Sequence, residues 1–202
     1  MSKVATSKSS ALQQIPEQIR FFLNDPPLWP GESRAEYMAL LAAIGASCLV
    51  GDDTVKWLLV DEMTHQIWEI RRFRRIEASL VLKRQAEIIK EVLQTTYDPE
   101  TEGTDIVFFA GTYAHGWEEG GEAAKKTELR LAERGYDMEQ IRVRAYERCA
   151  AELREIENGV AKRENRRRAT LLDIERRDEA FAKRLAQASM EVLDAEFSEA
   201  AE

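Results

Sequence analysis

Glycine and proline are scarce in this sequence, at 10 and 5 of 202 residues. Turns between strands draw heavily on these two residues, so their scarcity argues against a fold with many strands. Charged residues make up 33% of the chain, against roughly 25% in ordinary globular domains. Together with abundant Ala, Glu, Arg and Leu, this composition is typical of long helices and predicts an all-α fold.

Histidine and cysteine are also rare, with two residues of each. Cys48 and Cys149 lie far apart without a CxxC partner, which excludes a zinc knuckle or a redox pair and predicts buried thiols. Glu62 and His65 have the spacing of half a di-iron motif, but His115 supplies no second half. We therefore predict that no metal and no cofactor is bound.

No arrangement of residues typical of an enzyme stands out. The sequence lacks a nucleophile elbow, an HExxH motif and a phosphate-binding GxxxxGK[ST] loop. His115, Glu118 and Glu119 form a small polar group beside Trp117, without a nucleophile that they would activate. We predict that the protein is not an enzyme.

Long apolar runs are absent, since nowhere do about 18 apolar residues follow one another. Residues 1–14 are mostly polar and are predicted to be a disordered tail instead of a signal peptide. These features predict a cytoplasmic protein without a membrane partner. The net charge of −8 argues against a protein that coats nucleic acid over its whole surface.

Start and stop signals divide the chain into helices. Pro16 suits a first turn, and Pro26 disfavours helix at the residue before it. Ser33 begins a capping box, and Asp53 and Asp137 are predicted to cap the helices that follow them.

Two very long helices are predicted. One covers residues 54–97, which contain no glycine or proline, and the other lies within residues 138–202, interrupted only by Gly159. The ten residues from Ala161 to Thr170 have no large apolar side chain, so they mark either a hairpin or a stretch of uncovered helix. A break near Gly159 would shorten the second helix, which otherwise should overhang the first or meet a second subunit.

This pattern predicts a long antiparallel, coiled-coil-like helical pair with small N-terminal helices. Residues 15–137 form an N-terminal helical region with an irregular acidic insertion at 98–122, and residues 138–202 form the long C-terminal helix. Within the insertion, a short helix or strand is predicted to dock through its aromatic side chains. Apolar spacing along that helix predicts a seam for self-association, with one polar position that would set the register of a dimer, Asp178. The seam consists of Leu171, Ile174, Asp178, Phe181, Leu185 and Val192.

Two arginine clusters interrupt the acidic sequence. Like charges three and four positions apart repel on a helix, so each cluster needs an offsetting partner. Acidic residues on a packed neighbour, such as residues 98–122 or 191–202, are one explanation, and phosphate or an acidic protein is the other. The candidate contacts are Arg71, Arg72, Arg74, Arg75, Lys162, Arg163, Arg166, Arg167 and Arg168.

Several blocks of the sequence resemble a family of helical proteins common among alphaproteobacteria and associated with mobile or accessory genes. The blocks are the Pro-rich segment 27–33 with Tyr37, residues 68–78, residues 165–177 and the closing residues 194–197. The resemblance covers most of residues 16–96 and 138–197 and leaves the 98–121 segment unmatched. Because the family has no established activity, the resemblance implies a bacterial cytoplasmic setting and no catalytic residues.

These observations favour a non-enzymatic scaffold or interaction protein that binds itself or another helical protein. The alternative is a nucleic-acid-binding accessory factor of a mobile element that acts through the arginine clusters. Geometry separates the two hypotheses: arginines that each meet a carboxylate favour the scaffold, and one continuous unpaired basic face favours nucleic acid.

Overall fold

The computed structural model describes the backbone of residues 15–98 and 105–199 and the side chains of 15–98 and 105–190. The part of the chain so described is built of helices without strands, which confirms the all-α prediction. The predicted tail at residues 1–14 lies outside the described residues. The helices are α1 (Glu17–Leu23), α2 (Arg34–Ser47), α3 (Thr54–Thr95), α4 (Ile106–Glu119), α5 (Gly121–Glu133), α6 (Met138–Arg148) and α7 (Ala150–Glu199).

The helix starts follow the predicted caps. The Ser33 hydroxyl accepts a hydrogen bond from the backbone N–H of Glu36 at 3.3 Å, which begins α2. Asp53 accepts from the N–H of Lys56 at 3.0 Å at the start of α3. Asp137 accepts from the N–H of Gln140 at 2.7 Å at the start of α6. In each case a short polar side chain satisfies a first-turn amide that has no partner within the helix.

Within the insertion predicted at 98–122, residues 106–119 form the helix α4, which is the first of the two alternatives predicted for this segment. Asp105 caps this helix by accepting from the N–H of Phe108 at 2.9 Å. Gly120 and Gly121, both with positive φ, turn the chain directly into α5. Gly116 permits a close approach of the two helices, since a Cβ at this position would lie 3.2 Å from the Cβ of Ala123. The segment is therefore a helical hairpin.

The C-terminal region is interrupted at Cys149 and not near Gly159. The Cys149 thiol donates to the carbonyl of Ala145 at 2.9 Å, and the chain resumes helical geometry one residue later. From Ala150 the helix α7 continues through Gly159 and through residues 161–170, so the predicted hairpin in that stretch does not occur. The stretch stays helical, as in the second alternative, but it is not uncovered, because Arg163 and Arg166 pair with carboxylates of α3 and Thr170 is buried.

The described residues divide into two compact units, and each long helix contributes to both. Residues 15–70 and 161–199 form the first unit, and residues 71–98 and 105–160 form the second. This division does not coincide with the boundary predicted between residues 137 and 138.

The first unit has its core where α1, α2 and the first part of α3 meet α7. Trp57 of α3 is fully buried there, and its indole N–H donates to the carbonyl of Gly51 at 3.0 Å. Leu23 and Leu41 pack in the same core, and Ile174 is the α7 residue that joins them. Glu69 and Glu62 of α3 pair with Arg163 and Arg166 of α7, so the two helices run antiparallel within this unit.

The second unit has its core between the later part of α3 and the helices α4, α5 and α6. Ile88, Ile89 and Leu93 are buried against Leu131 and Ile141. Aromatic side chains of α4 pack at the edge of this core, as the sequence predicted for the segment. Along α3, Arg84 pairs with Glu152 of α7 and Glu91 pairs with Arg148 of α6, again in antiparallel order.

None of the described helices has both the length and the apolar character that crossing a membrane requires.

Candidate interaction surface on the C-terminal helix

The inward face of α7 is covered only as far as α3 extends beside it. Ile174 is 3% exposed, and the next turn of α7 meets the beginning of α3 through two polar pairs. Arg177 donates to both carboxylate oxygens of Asp53 at 2.8 and 3.0 Å. Asp178 accepts from the Lys56 ammonium at 2.6 and 2.9 Å. Because α3 begins at Thr54, α7 continues past the start of the helix that covers it, as the sequence predicted for a helix longer than its partner.

Residues 178–190 are all exposed, although they include large apolar side chains. Phe181 is 63% exposed, Leu185 is 58% exposed and Met190 is 65% exposed. At 3.6 residues per turn, Leu185 lies about 40° around the helix from Phe181, whereas Met190 lies about 180° away. Phe181 and Leu185 therefore share one face, and this face continues the line of the buried Ile174.

The predicted seam separates into three parts. Ile174 is used within the chain's own core, and Leu171 is 43% exposed. Asp178, predicted to set the register of a dimer, instead neutralises Lys56 of the same chain, and its side chain keeps 55% exposure. Phe181 and Leu185 are accessible, and Val192 belongs to residues whose side chains are not described. The accessible seam thus begins after Asp178.

The second arginine cluster faces carboxylates of α3. Arg163 donates through Nε and Nη2 to the same carboxylate oxygen of Glu69, at 3.0 and 2.8 Å. Arg166 pairs with Glu62 at 3.0 Å. The acidic partners are therefore on α3, whereas the sequence pointed to residues 98–122 or 191–202. Lys162, Arg167 and Arg168 have no carboxylate partner among the described residues.

The first arginine cluster is also largely engaged. Arg72 is only 6% exposed, so it is not accessible as the partner contact that the sequence predicted. Arg74 donates to Glu77 at 2.9 Å, and Arg71 has a partner as well. Arg75 is exposed. Neither cluster forms a continuous unpaired basic face within its own unit.

The pairs at helix ends change the acidity of their carboxylates. Hydrogen bonds from Arg177 lower the pKa of Asp53, and those from Arg148 lower the pKa of Glu91. In both cases the guanidinium favours the charged form of the carboxylate more than partial burial disfavours it. Both carboxylates are consequently ionised at neutral pH.

The two histidines lie in separate surroundings. His65 is half-buried in a polar cavity of about 440 Å³ between α3 and α7, where Glu62, Glu69, Arg163 and Arg166 already pair with one another. His115 is exposed, and its Nε2 lies 3.3 Å from Glu119. No group of three or more His, Cys, Asp or Glu side chains suited to a metal ion occurs in the described part of the chain.

The two cysteines behave as buried thiols. Cys149 is buried and Cys48 is half-buried, and neither forms a disulfide. Burial raises the pKa of both thiols, since it disfavours the thiolate. The prediction of buried thiols is thus confirmed for Cys149.

Sequence reasoning missed the Lys56–Asp178 pair. Lys56 is 5% exposed, and its charge is compensated by Asp178 from 122 positions along the chain. The signal for this pair was available in the sequence. Lys56 and Asp178 are each a charged residue close to the apolar positions of a helix, and the two helices were predicted to pack together. A basic residue in one stripe and an acidic residue in the other are complementary.

No protein-family model, no curated protein and no solved structure matches the chain.

Proposed function

We propose that this protein is a non-enzymatic helical interaction protein, and that it self-associates through the exposed part of α7. The face involved is the one that carries Phe181 and Leu185 and continues toward Val192. On the resemblance described above, we assign it to the bacterial cytoplasm.

The single observation behind this proposal is the exposure of every residue from 178 to 190. Most of the stability of a helix in a protein comes from packing one face against a partner, and an isolated helix of this length is marginal in water. A face that carries large apolar residues at seven-residue spacing is the pattern of a coiled-coil seam. A second copy would supply both the missing packing and the cover for Phe181 and Leu185.

The nucleic-acid alternative receives less support. Arg163 and Arg166 already meet Glu69 and Glu62, and a phosphate would have to displace those carboxylates. Lys162, Arg167 and Arg168 remain accessible to a phosphate, too few to make a strong basic patch on a chain of net charge −8. Salt-sensitive binding of labelled nucleic acid that is lost in a triple Ala variant of residues 166–168 would favour this alternative.

Light scattering on the purified full-length chain tests self-association. We expect a mass of twice the 23.1 kDa of one chain at high protein concentration. The double variant F181A/L185A should weaken the dimer by about 100-fold or more, because each side chain contributes roughly 1.5–3 kcal/mol when buried. M190A is the matched control, since Met190 is as exposed as Phe181 but lies on the opposite face. A monomeric mass at all concentrations would contradict the proposal.

A further inference from the structure

The exposed part of α7 carries its charges unevenly. Its first turns hold charges of both signs, with Asp178 and Glu179 before Lys183 and Arg184, whereas residues 185–202 contain no Lys or Arg. Those last residues include five carboxylates, Glu191, Asp194, Glu196, Glu199 and Glu202. Along the sequence, Lys183 and Arg184 are therefore followed by carboxylates alone.

Arg184 has no carboxylate partner among the described residues. Its Nε donates to the backbone carbonyl of Ala180 at 3.3 Å. By helical geometry Arg184 lies about 60° to one side of Phe181, and position 191 lies about 80° to the same side. Both positions therefore flank the seam along one edge.

We propose that two copies bind through this seam in antiparallel orientation, with Arg184 of each copy paired with Glu191 of the other. The proposal rests on the self-association proposed above and adds the orientation of the partner. Antiparallel pairing about a centre between residues 186 and 187 brings position 181 of one copy opposite position 192 of the other, so the apolar positions meet. Positions 184 and 191 are then offset by only two residues, about 3 Å along the axis, which long side chains span. The symmetry of the dimer makes this contact twice.

A parallel dimer has the opposite electrostatics. It would place Lys183 and Arg184 of one copy beside the same residues of the other, and the five carboxylates of one copy beside those of the other. Like charges across a seam are destabilising, and charges beside the core of a coiled coil decide which orientation forms. The charge order of α7 thus selects the antiparallel arrangement.

A charge-swap cycle at low salt tests the orientation, with dissociation constants measured by sedimentation or light scattering. R184E and E191R should each weaken the dimer roughly tenfold, because two attractive pairs become two repulsive ones. The double variant R184E/E191R should recover most of the original affinity, since it rebuilds both pairs with reversed sign. Residues 184 and 191 are seven positions apart in one chain, so the recovery arises only between copies.

A second measurement does not depend on changing charges. In a chain with Cys48→Ser and Cys149→Ser, the variant A195C should resist oxidation to a disulfide-linked dimer. The antiparallel arrangement puts position 195 opposite position 178, so the two introduced thiols are about 26 Å apart along the seam. A parallel dimer would place these two thiols side by side.

The outcomes separate the two proposals. A wild-type dimer in which the double charge variant binds no better than the single variants, or in which A195C oxidises readily, would overturn the orientation and leave self-association standing. A wild-type monomer at every concentration would overturn both. Circular dichroism of each variant, at a protein concentration where it is dimeric, confirms that the helices are intact.

Discussion

Asp61 of α3 is a half-buried carboxylate at one wall of a cavity formed by Phe21, Phe22 and the Pro26–Pro27 segment. Its pKa is raised mainly by burial, which removes water from the charged form. A hydrogen bond from the Tyr37 hydroxyl at 3.3 Å opposes this effect only in part. At neutral pH the ionised Asp61 therefore lowers the stability of the folded state.

We expect Asp61→Asn to raise the midpoint temperature of unfolding at pH 7. The amide oxygen still accepts from Tyr37, and no desolvated charge remains. Because the folded pKa of Asp61 lies above its unfolded value, the stability cost of its charge is present at neutral pH and disappears as the pH falls through the folded pKa. Thermal unfolding at several pH values should thus show a difference that shrinks toward acid pH. The exposed Asp52→Asn is the control, and a lower midpoint for Asp61→Asn would contradict this account.

Gly45 of α2 is required by a neighbouring side chain and not by its backbone conformation. A Cβ at this position would lie 2.6 Å from the ring of the fully buried Trp57. Gly111 of α4 is also inside a helix, but a Cβ there would meet nothing within 4 Å. The two glycines therefore separate the packing effect from the helix-propensity effect.

Gly45→Ala should destabilise the fold by about 1–3 kcal/mol, because Trp57 has to shift within a packed core. Gly111→Ala should stabilise it by up to about 1 kcal/mol, because alanine is the better helix former. Urea unfolding measures both. Equal effects of the same sign would show that the contact between Gly45 and Trp57 does not constrain the core.

At the scale of helices, the contact between α3 and α7 in the first unit includes polar pairs as well as apolar packing. Lys56 is almost completely buried, and the Asp178 carboxylate that neutralises it is half exposed. Removal of Asp178 would leave a buried ammonium with only the Leu49 carbonyl, at 3.5 Å. A buried charge that loses its partner is strongly destabilising.

We expect Asp178→Ala to cost about 1–3 kcal/mol of unfolding free energy in chemical denaturation. Asp173→Ala is the matched control on the same helix, because Asp173 makes only an exposed pair with Arg176 at 3.5 Å. That control should change stability by less than about 0.5 kcal/mol. An equal cost for both variants would mean that the Lys56 charge finds water when Asp178 is removed.

The start of a helix was the feature that the sequence predicted best. A capping side chain acts within three residues, so Ser33, Asp53 and Asp137 reveal their roles without any knowledge of the fold. The helical character of the long segments was predictable for a similar reason, since their apolar spacing persists over many turns.

Interruptions of helices were predicted poorly, because distant contacts decide them. Gly159 resembles a break in the sequence, yet α7 continues through it, and a Cβ there would lie 3.0 Å from the ring of Phe73. That glycine gives room to a side chain of α3. The interruption at Cys149 involves a thiol hydrogen bond to Ala145 that nothing in the local sequence announces.

The helix α4 was predicted only as one alternative to a strand, because its own sequence argues against a helix. Gly111 and Gly116 lower its helix propensity, and the acidic residues around it suggest a solvated loop. Burial of Ala110 and Ala114 against the second unit's core overrides both signals. The apolar spacing of the seam was predictable from the sequence. The accessible part of the seam was not, because it depends on where α3 begins beside α7.

At the scale of the whole molecule, the acidic excess belongs to two segments. Residues 98–122 contain seven carboxylates and residues 185–202 contain five, and neither segment has a Lys or Arg. The rest of the chain then holds 25 acidic and 29 basic residues, a slight excess of positive charge. The negative end of α7 is therefore suited to basic residues, which a second copy would supply at Lys183 and Arg184.

The helicity of the whole chain should therefore depend on its concentration. Residues 178–199 are 22 of the 151 residues in the described helices, and a helix of this length is only marginally stable without a partner. On dilution of the dimer we expect the helical signal at 222 nm to fall by up to about a seventh, with the same midpoint as the fall in mass. The variant F181A/L185A should show the lower signal at every concentration, and M190A should follow the wild type. Dissociation without any change in helicity would mean that α7 is stable alone. Self-association would then be driven by covering its apolar face and not by folding its last turns.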